Sequence, residues 1–383
     1  MVPSIYLDNG ATSWPKPESV YLAADQALRM GGSAGRGSHN LALEANKVLL
    51  EARKNLGELF HLNFIDHISF TLNATDAINT ALFGLLGSGD VVVTTAMEHN
   101  SVVRPLCVLR EKGVILRVVR CTSTGIIDKT DLQEKIRGAK LLVLSHASNV
   151  TGQIVSLEEI IEVAHSAHCL VLVDAAQTAG SYPIDASKLD IDLLAFSGHK
   201  GLLGPQGTGG LYVAPEIELQ PLRFGGTGSQ SESEEQPGFY PDRLESGTQN
   251  MPGIAGLAAG VQSVLAQGVA AIYHKEQLLS RKLREGLASI SGVQLLGESK
   301  GPHTSVVSFV IGGKDSSLVG YLLEKEYHII CRSGLHCSPW AHQVLGTLQS
   351  GAVRFSPGYF TTDSEIRATI GAVDAISRED FYV

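Results

Sequence analysis

Cysteines, aromatic residues, basic residues and long apolar runs are all scarce in this chain, and each shortage excludes a class of protein. Its 383 residues contain five cysteines, Cys107, Cys121, Cys169, Cys331 and Cys337, an odd and scattered set without a CxxC pair. That spacing argues against a disulfide framework and a zinc site, and reduced thiols fit a cytoplasmic home. Cys107, Cys121 and Cys169 lie in or beside apolar runs and read as small core residues. The amino terminus lacks a basic start followed by an apolar run, and no later apolar segment is long enough to span a bilayer, so no membrane association is expected. Lys+Arg 30 stand against Asp+Glu 39, a net charge of −9, with no basic block interleaved with aromatics. A nucleic-acid surface therefore has no support, and small molecules or proteins are the expected partners.

Glycine is plentiful. Gly 41 implies many tight turns and close backbone approaches, while 44% hydrophobic with 18% charged residues is ordinary for a globular protein. The length exceeds what a single core usually serves, so one large and one smaller domain are expected.

Short β-rich runs at 68–71, 91–95, 114–119, 141–145, 170–174, 193–197 and 210–213 alternate with amphipathic helical stretches. Strict alternation builds a mostly parallel sheet covered on both faces, with its site at the carboxyl ends of the strands. Between Gly225 and Gly247 the composition shifts to Gly, Ser, Glu and Pro, which predicts a loop or mobile hairpin. Residues 254–290 read as a long helical stretch with a break. Strands near 293–296, 305–311, 328–332 and 352–356 then form a smaller α+β unit.

Several residues in this frame carry chemistry. The strand at 68–71 leads into Leu72-Asn73-Ala74-Thr75-Asp76, a helix start able to hold a phosphate, with Thr75 supplying a hydroxyl; an ordinary N-cap is the plainer reading. Asp174 closes the apolar run Leu170-Val171-Leu172-Val173, where its carboxylate must be solvated or paired with a buried cation such as a protonated pyridine nitrogen. Gln177 lies in the same loop, in reach of a phenolic oxygen. Lys200, in Ser197-Gly198-His199-Lys200-Gly201, sits on a tight loop where poor hydration lowers an amine's pKa and makes it nucleophilic toward an aldehyde. His99 follows the strand ending at Thr95 and either stacks on a flat ring or simply opens a helix. His165 and His168 end a helix, where imidazoles favour the dipole, so no metal site is expected.

Cys337, in Gly334-Leu335-His336-Cys337-Ser338-Pro339, lies on an exposed loop, with His336 and Arg332 at hand to favour its thiolate; Cys331 fits a core position better. Arg354, a lone guanidinium in an apolar strand, demands an anion, either a substrate carboxylate or an Asp or Glu. A strand-end carboxylate, a following lysine and a downstream cysteine are the set that pyridoxal phosphate needs to take sulfur from an amino acid.

In order along the chain, Tyr6-Leu7-Asp8-Asn9-Gly10-Ala11-Thr12, Asn73-Ala74-Thr75, Met97-Glu98-His99-Asn100, Ser148-Asn149-Val150-Thr151-Gly152, Asp174 to Gln177, Ser197 to Lys200, Glu245-Ser246-Gly247-Thr248, Arg332 to Cys337 and Arg354-Phe355-Ser356 together resemble the class V aminotransferase-like enzymes. Within that family the likeness is to the group II cysteine desulfurases and selenocysteine lyases. The resemblance implies an α/β fold of the pyridoxal phosphate-dependent transferase fold type I, with a large domain carrying a mostly parallel mixed sheet at 14–250 and a small α+β domain from 1–13 and 251–383. It implies Lys200 as the lysine that binds the cofactor and moves the Cα proton, Asp174 on the ring nitrogen, Gln177 on the phenolic oxygen and His99 stacked on the ring. Ala74, Thr75, Ser197 and His199 fall in the cofactor's phosphate region, with Thr248 arriving from the neighbouring subunit of a homodimer with shared sites. Asn149, beside the cofactor, and Arg354 would hold the substrate carboxylate, Arg36 matches an active-site arginine, and Cys337 would take the sulfur.

The expected reaction converts L-cysteine to L-alanine with a persulfide on Cys337. Selenocysteine lyase, an aminotransferase or epimerase, and a non-catalytic cofactor-binding regulator are the alternatives. Cys337 precedes Arg354 by 17 residues, a short tether, so a sulfur-acceptor protein must come to the enzyme.

Overall fold

The expected strands pair into one seven-stranded sheet in a computed structural model that describes residues 4–35, 37–298 and 300–379. Across the sheet the order is Ile68–Thr71, Gly209–Val213, Leu193–Ser197, Leu170–Asp174, Leu141–Ser145, Val91–Thr95 and Ile115–Val119. Gly209–Val213 runs antiparallel to both its neighbours and the other pairings are parallel, so the sheet is mixed, as expected. The inner strands read as unbroken apolar runs because both faces are covered. Leu142, Leu144, Val171 and Val173 enter one core with Leu56 and Leu257, while Leu141, Val143, Leu172 and Leu193 enter the other with Ile78 and Leu106.

A second sheet, all antiparallel, has the order Arg332–Gly334, Ala352–Phe355, Val307–Ile311, Val293–Leu295. Leu283, Leu323, Ile366 and Val373 from its covering helices close a core of their own. The amino-terminal strand Ile5–Tyr6 pairs with Ile329–Ile330 beside this sheet, and Asp8 bridges to Ser356. This pairing carries Asp8 and Gly10 back to the strand that holds Arg354.

The expected break in the long helical stretch falls at Gly268, whose φ of 79° is in the left-handed region that glycine adopts without a Cβ clash. Helices Met251–Gln267 and Val269–Ala288 meet there at 80°. No single described helix is long and apolar enough to cross a membrane. No helix or strand forms between Val213 and Met251, in keeping with the polar composition of that stretch.

One buried ion pair anchors the end of that irregular segment. Arg53 Nη2 lies 2.6 Å from Glu245, Arg53 Nε donates to the Ile68 carbonyl at 3.0 Å, and Glu245 accepts the Phe70 N–H at 2.7 Å. Replacing Arg53 by alanine leaves a carboxylate buried without its cation, and the expected loss of stability in denaturant unfolding is about 3–5 kcal/mol. An unfolding midpoint equal to that of the parent would contradict this placement of the charge.

Candidate active site

The carboxyl ends of the parallel strands converge on a cavity of about 270 Å³ whose walls include Asn73, Ala74, Thr75, His99, Asn149, Asp174, Gln177, Ser197, His199 and Lys200. Topology is the cause: Asp174 ends one strand and Ser197 the next, while Thr75, His99 and Lys200 lie in the connections that follow strand ends. Eight residues expected from the sequence as cofactor ligands therefore share one cavity, together with Lys200.

Asn73 is the N-cap of helix Ala74–Leu85, its side chain accepting the Asp76 N–H at 3.0 Å. The capping role is thus filled by Asn73, and the Thr75 side chain stays free for a ligand. The Ala74 N–H donates to Ser197 Oγ at 3.1 Å and joins the helix start to the next strand end. His199 Nδ1 is buried without a hydrogen-bond partner. An orphaned ring nitrogen beside two hydroxyls and a helix amino terminus fits a phosphate group.

Asp174 is 4% exposed, and burial raises its carboxyl pKa against the opposing pull of the Ala176 N–H and the Lys200 charge. Such a group gains most from a cationic partner held at close range. Burial also lowers the Lys200 amine to about 8, with Asp174 opposing and Arg354 and Arg332 adding to the shift. His99 has both features read from its position: it lines the cavity and it caps helix Asn100–Glu111 by accepting the Ser101 N–H at 3.1 Å on Nδ1. That bond assigns the ring proton to Nε2, and burial, reinforced by the Lys200 charge, holds the imidazole neutral by lowering it to about 4. Gln177 Nε2 donates to the Gly10 carbonyl at 3.1 Å, tying the amino-terminal loop to the cavity wall.

Cys337 is the one exposed cysteine, and burial pushes the thiols of Cys121, Cys169 and Cys331 up to about 12. Its turn is stitched to the cavity from two sides. The Asn100 N–H, next to His99, donates to the Cys337 carbonyl at 2.8 Å. Asn149 Nδ2 donates to the His336 carbonyl at 2.7 Å, and Ser338 Oγ donates to Asn149 Oδ1 at 2.6 Å. The Asn149 amide, expected to serve a ligand, is engaged by the cysteine turn in this state.

The expectation that His336 helps ionise the thiol is overturned. Burial, with Arg354 nearby, drives its imidazole down to about 2, so it carries no charge. Arg332 remains, with Nη2 at 3.5 Å from Cys337 Sγ. The open question at Arg354 is answered by an ion pair with Asp8 at 2.8 Å, and Nη1 donates to the Asn149 carbonyl at 3.1 Å. Arg354 Nε is buried without a partner. Arg332 and Arg354 face each other in register on adjacent strands, and Asp8 is the only carboxylate paired with either among the described residues. The excess positive charge suits an incoming carboxylate.

Thr248 is not brought to this cavity; it lines a separate cleft with Leu72, Arg223 and Glu245. Arg36 lies outside the described residues. Glu98, quoted in the sequence only as a neighbour of His99, proves to be buried and to join strand ends: Thr95 Oγ1, Ser145 N and Ser145 Oγ all donate to its carboxylate. Only a side-chain position could reveal that, because nothing in its local pattern separates it from a solvated helix-start glutamate.

The family model Aminotransferase class-V matches residues 5–368. The chain belongs to the class V aminotransferase family. Among curated class V relatives, a protein of Methanothermobacter thermautotrophicus named probable cysteine desulfurase is 34% identical, over 95% of this chain and 92% of its own length. One of the same name from Pyrococcus abyssi is 35% identical over 97% and 94%. Among solved structures, the apo cysteine desulfurase from Thermococcus onnurineus NA1 superimposes with a TM-score of 0.91 at 33% identity, covering 98% of this chain and 95% of that one. The fold is the one these class V enzymes share.

Proposed function

We propose that the chain is a pyridoxal phosphate-dependent cysteine desulfurase that converts L-cysteine to L-alanine and retains the sulfur on Cys337. The observation that carries this reading is the double attachment of the Cys337 turn to the wall of the cavity that holds Lys200 and Asp174. An aminotransferase has no task for an exposed thiol held there.

The cofactor, when bound, supplies an aldehyde for amine capture and an electron-withdrawing ring. Lys200 provides the amine and then takes and returns the Cα proton, a duty suited to its lowered basicity. Asp174 would keep the ring nitrogen protonated, Gln177 would serve the phenolic oxygen, and His99 would stack on the ring. Ala74, Thr75, Ser197 and His199 would hold its phosphate. Arg354 and Asn149 orient the substrate carboxylate, which draws on the unpartnered Arg354 Nε and competes with Asp8. The Cys337 thiolate attacks the substrate sulfur, the carbon–sulfur bond breaks, and the balance is L-cysteine plus thiol giving L-alanine plus persulfide. The outer sulfur then passes to an acceptor thiol that must come to the loop.

Residues 14–250 serve as the cofactor-binding unit, with 1–13 and 251–383 as the smaller unit. Five free thiols support action in a reducing cytoplasm. The active form is a homodimer: Leu72, at 53% exposure, lines the cleft that holds Thr248 and needs a cover, which a second copy supplies while Thr248 reaches its phosphate site. Thr248→Ala is expected to weaken cofactor affinity about 10-fold through one lost charge-assisted hydrogen bond, read by absorbance titration. Unchanged affinity would remove Thr248 from the site.

The deciding assay supplies cofactor and L-cysteine to the purified protein, quantifies alanine, and locates the persulfide by mass spectrometry. Alanine equal to one sulfur on Cys337 in a single turnover is the expected result. Keto-acid-dependent amine transfer, or a clear preference for L-selenocysteine independent of Cys337, would replace the reading.

A further inference from the structure

Two buried imidazoles behind the cysteine turn take no part in the chemistry above. His342, on the short helix Pro339–Val344, is fully buried, and His336 is nearly so. His342 Nδ1 lies 2.7 Å from Thr347 Oγ1, His342 Nε2 lies 3.3 Å from His336 Nδ1, and His336 Nε2 lies 3.4 Å from the Arg332 carbonyl oxygen.

The last contact orients the whole chain. A carbonyl only accepts, so His336 Nε2 carries the hydrogen, and in the neutral ring Nδ1 is then an acceptor. His342 must then donate from Nε2, which leaves its Nδ1 to accept from the Thr347 hydroxyl. With both rings neutral, this is the single arrangement that satisfies every group. Burial produces that state, holding His342 at about 4 and His336 at about 2.

The brace ends on a strained turn. His336 and Cys337 have φ of 51° and 58°, in the left-handed region that non-glycine residues enter at a cost, and such residues persist where their surroundings over-determine them. Asn149 and Asn100 hold the two carbonyls of the turn, and among the described residues the His336 ring makes its hydrogen bonds within the imidazole chain.

We propose that Thr347 and His342 are positioning residues for Cys337, forming with His336 a one-way hydrogen-bonded brace that fixes the left-handed turn and keeps the thiol at the cavity wall. Its effect on turnover rests on the assignment of Cys337 as sulfur acceptor; the brace itself does not.

The test uses the cofactor-loaded protein with Thr347→Val, which removes the hydroxyl at constant shape, and Thr347→Ser, which keeps it. Nitrogen-15 histidine spectra of the parent should show both rings neutral and protonated at Nε2 from about pH 5 to about pH 8. Thr347→Val should change the His342 tautomer signal, alter the rate of Cys337 alkylation by iodoacetamide, and slow single-turnover persulfide formation about 10-fold, with cofactor uptake unchanged. Thr347→Ser should restore all three. A charged or Nδ1-protonated ring in the parent overturns the brace. So does a Val variant with parental alkylation, or one whose losses extend to cofactor uptake without rescue by Ser, since that is a general packing role. If the parent makes no persulfide, the desulfurase reading fails, while the spectra and alkylation rates still decide the brace.

Discussion

Lys200→Gln is expected to abolish covalent cofactor capture and to lower alanine release from L-cysteine by at least about 10³-fold, because the amine and the proton carrier are lost together. Absorbance of the lysine-bound chromophore and an alanine assay measure the two losses, and a variant that retains either near parental level would displace Lys200 from its role. The same residue predicts a pH dependence. Its amine is lowered from 10.5 to about 8 by burial, so the rate of cofactor capture by the cofactor-free protein should rise through that lower value. Between about 8 and 10.5 the unfolded chain binds the extra proton, so stability rises with pH across that window and charged Lys200 destabilises the fold at neutral pH. Cofactor-free Lys200→Met should therefore melt above the parent at pH 7, with the gap closing near the upper limit.

Cys337→Ala is expected to eliminate the protein persulfide and to reduce L-cysteine turnover by about 10²-fold or more, with cofactor binding intact, since the substrate sulfur loses its nucleophile. Cys331→Ala is the matched control: its thiol is pushed up to about 12 by burial and should be neither alkylated nor required. Full activity in Cys337→Ala would move the chemistry toward a lyase that releases its product without a thiol.

Much of the site was legible beforehand because its residues occupy strand ends, and strand ends are set by local pattern. The apolar run before Asp174 and the glycines around Lys200 are visible in the chain itself, and the parallel topology then brings both to one cavity. The state of each group was far less legible. His336 is adjacent to Cys337 in sequence and invited a role in ionising it, yet burial leaves it neutral and bonded away from the thiol. Glu98 and His342 carry no local sign of burial, and only packing shows them enclosed. The partner of Arg354 was open for the same reason, since Asp8 lies more than three hundred positions away and arrives through the pairing of Ile5–Tyr6 with Ile329–Ile330.

By itself, then, the order of residues determined the alternation of strand and helix, the strand-end placement of Asp174, Ser197 and Lys200, and the exposure of Cys337 relative to the other thiols, because these follow from hydrophobic period and nearest-neighbour chemistry. Tertiary structure decided which carboxylate meets Arg354, which imidazoles are neutral, and how the cysteine turn is fastened to the cavity. Those depend on burial and on contacts between distant segments, and desolvation, acting only once the segments pack, sets the charge on each group.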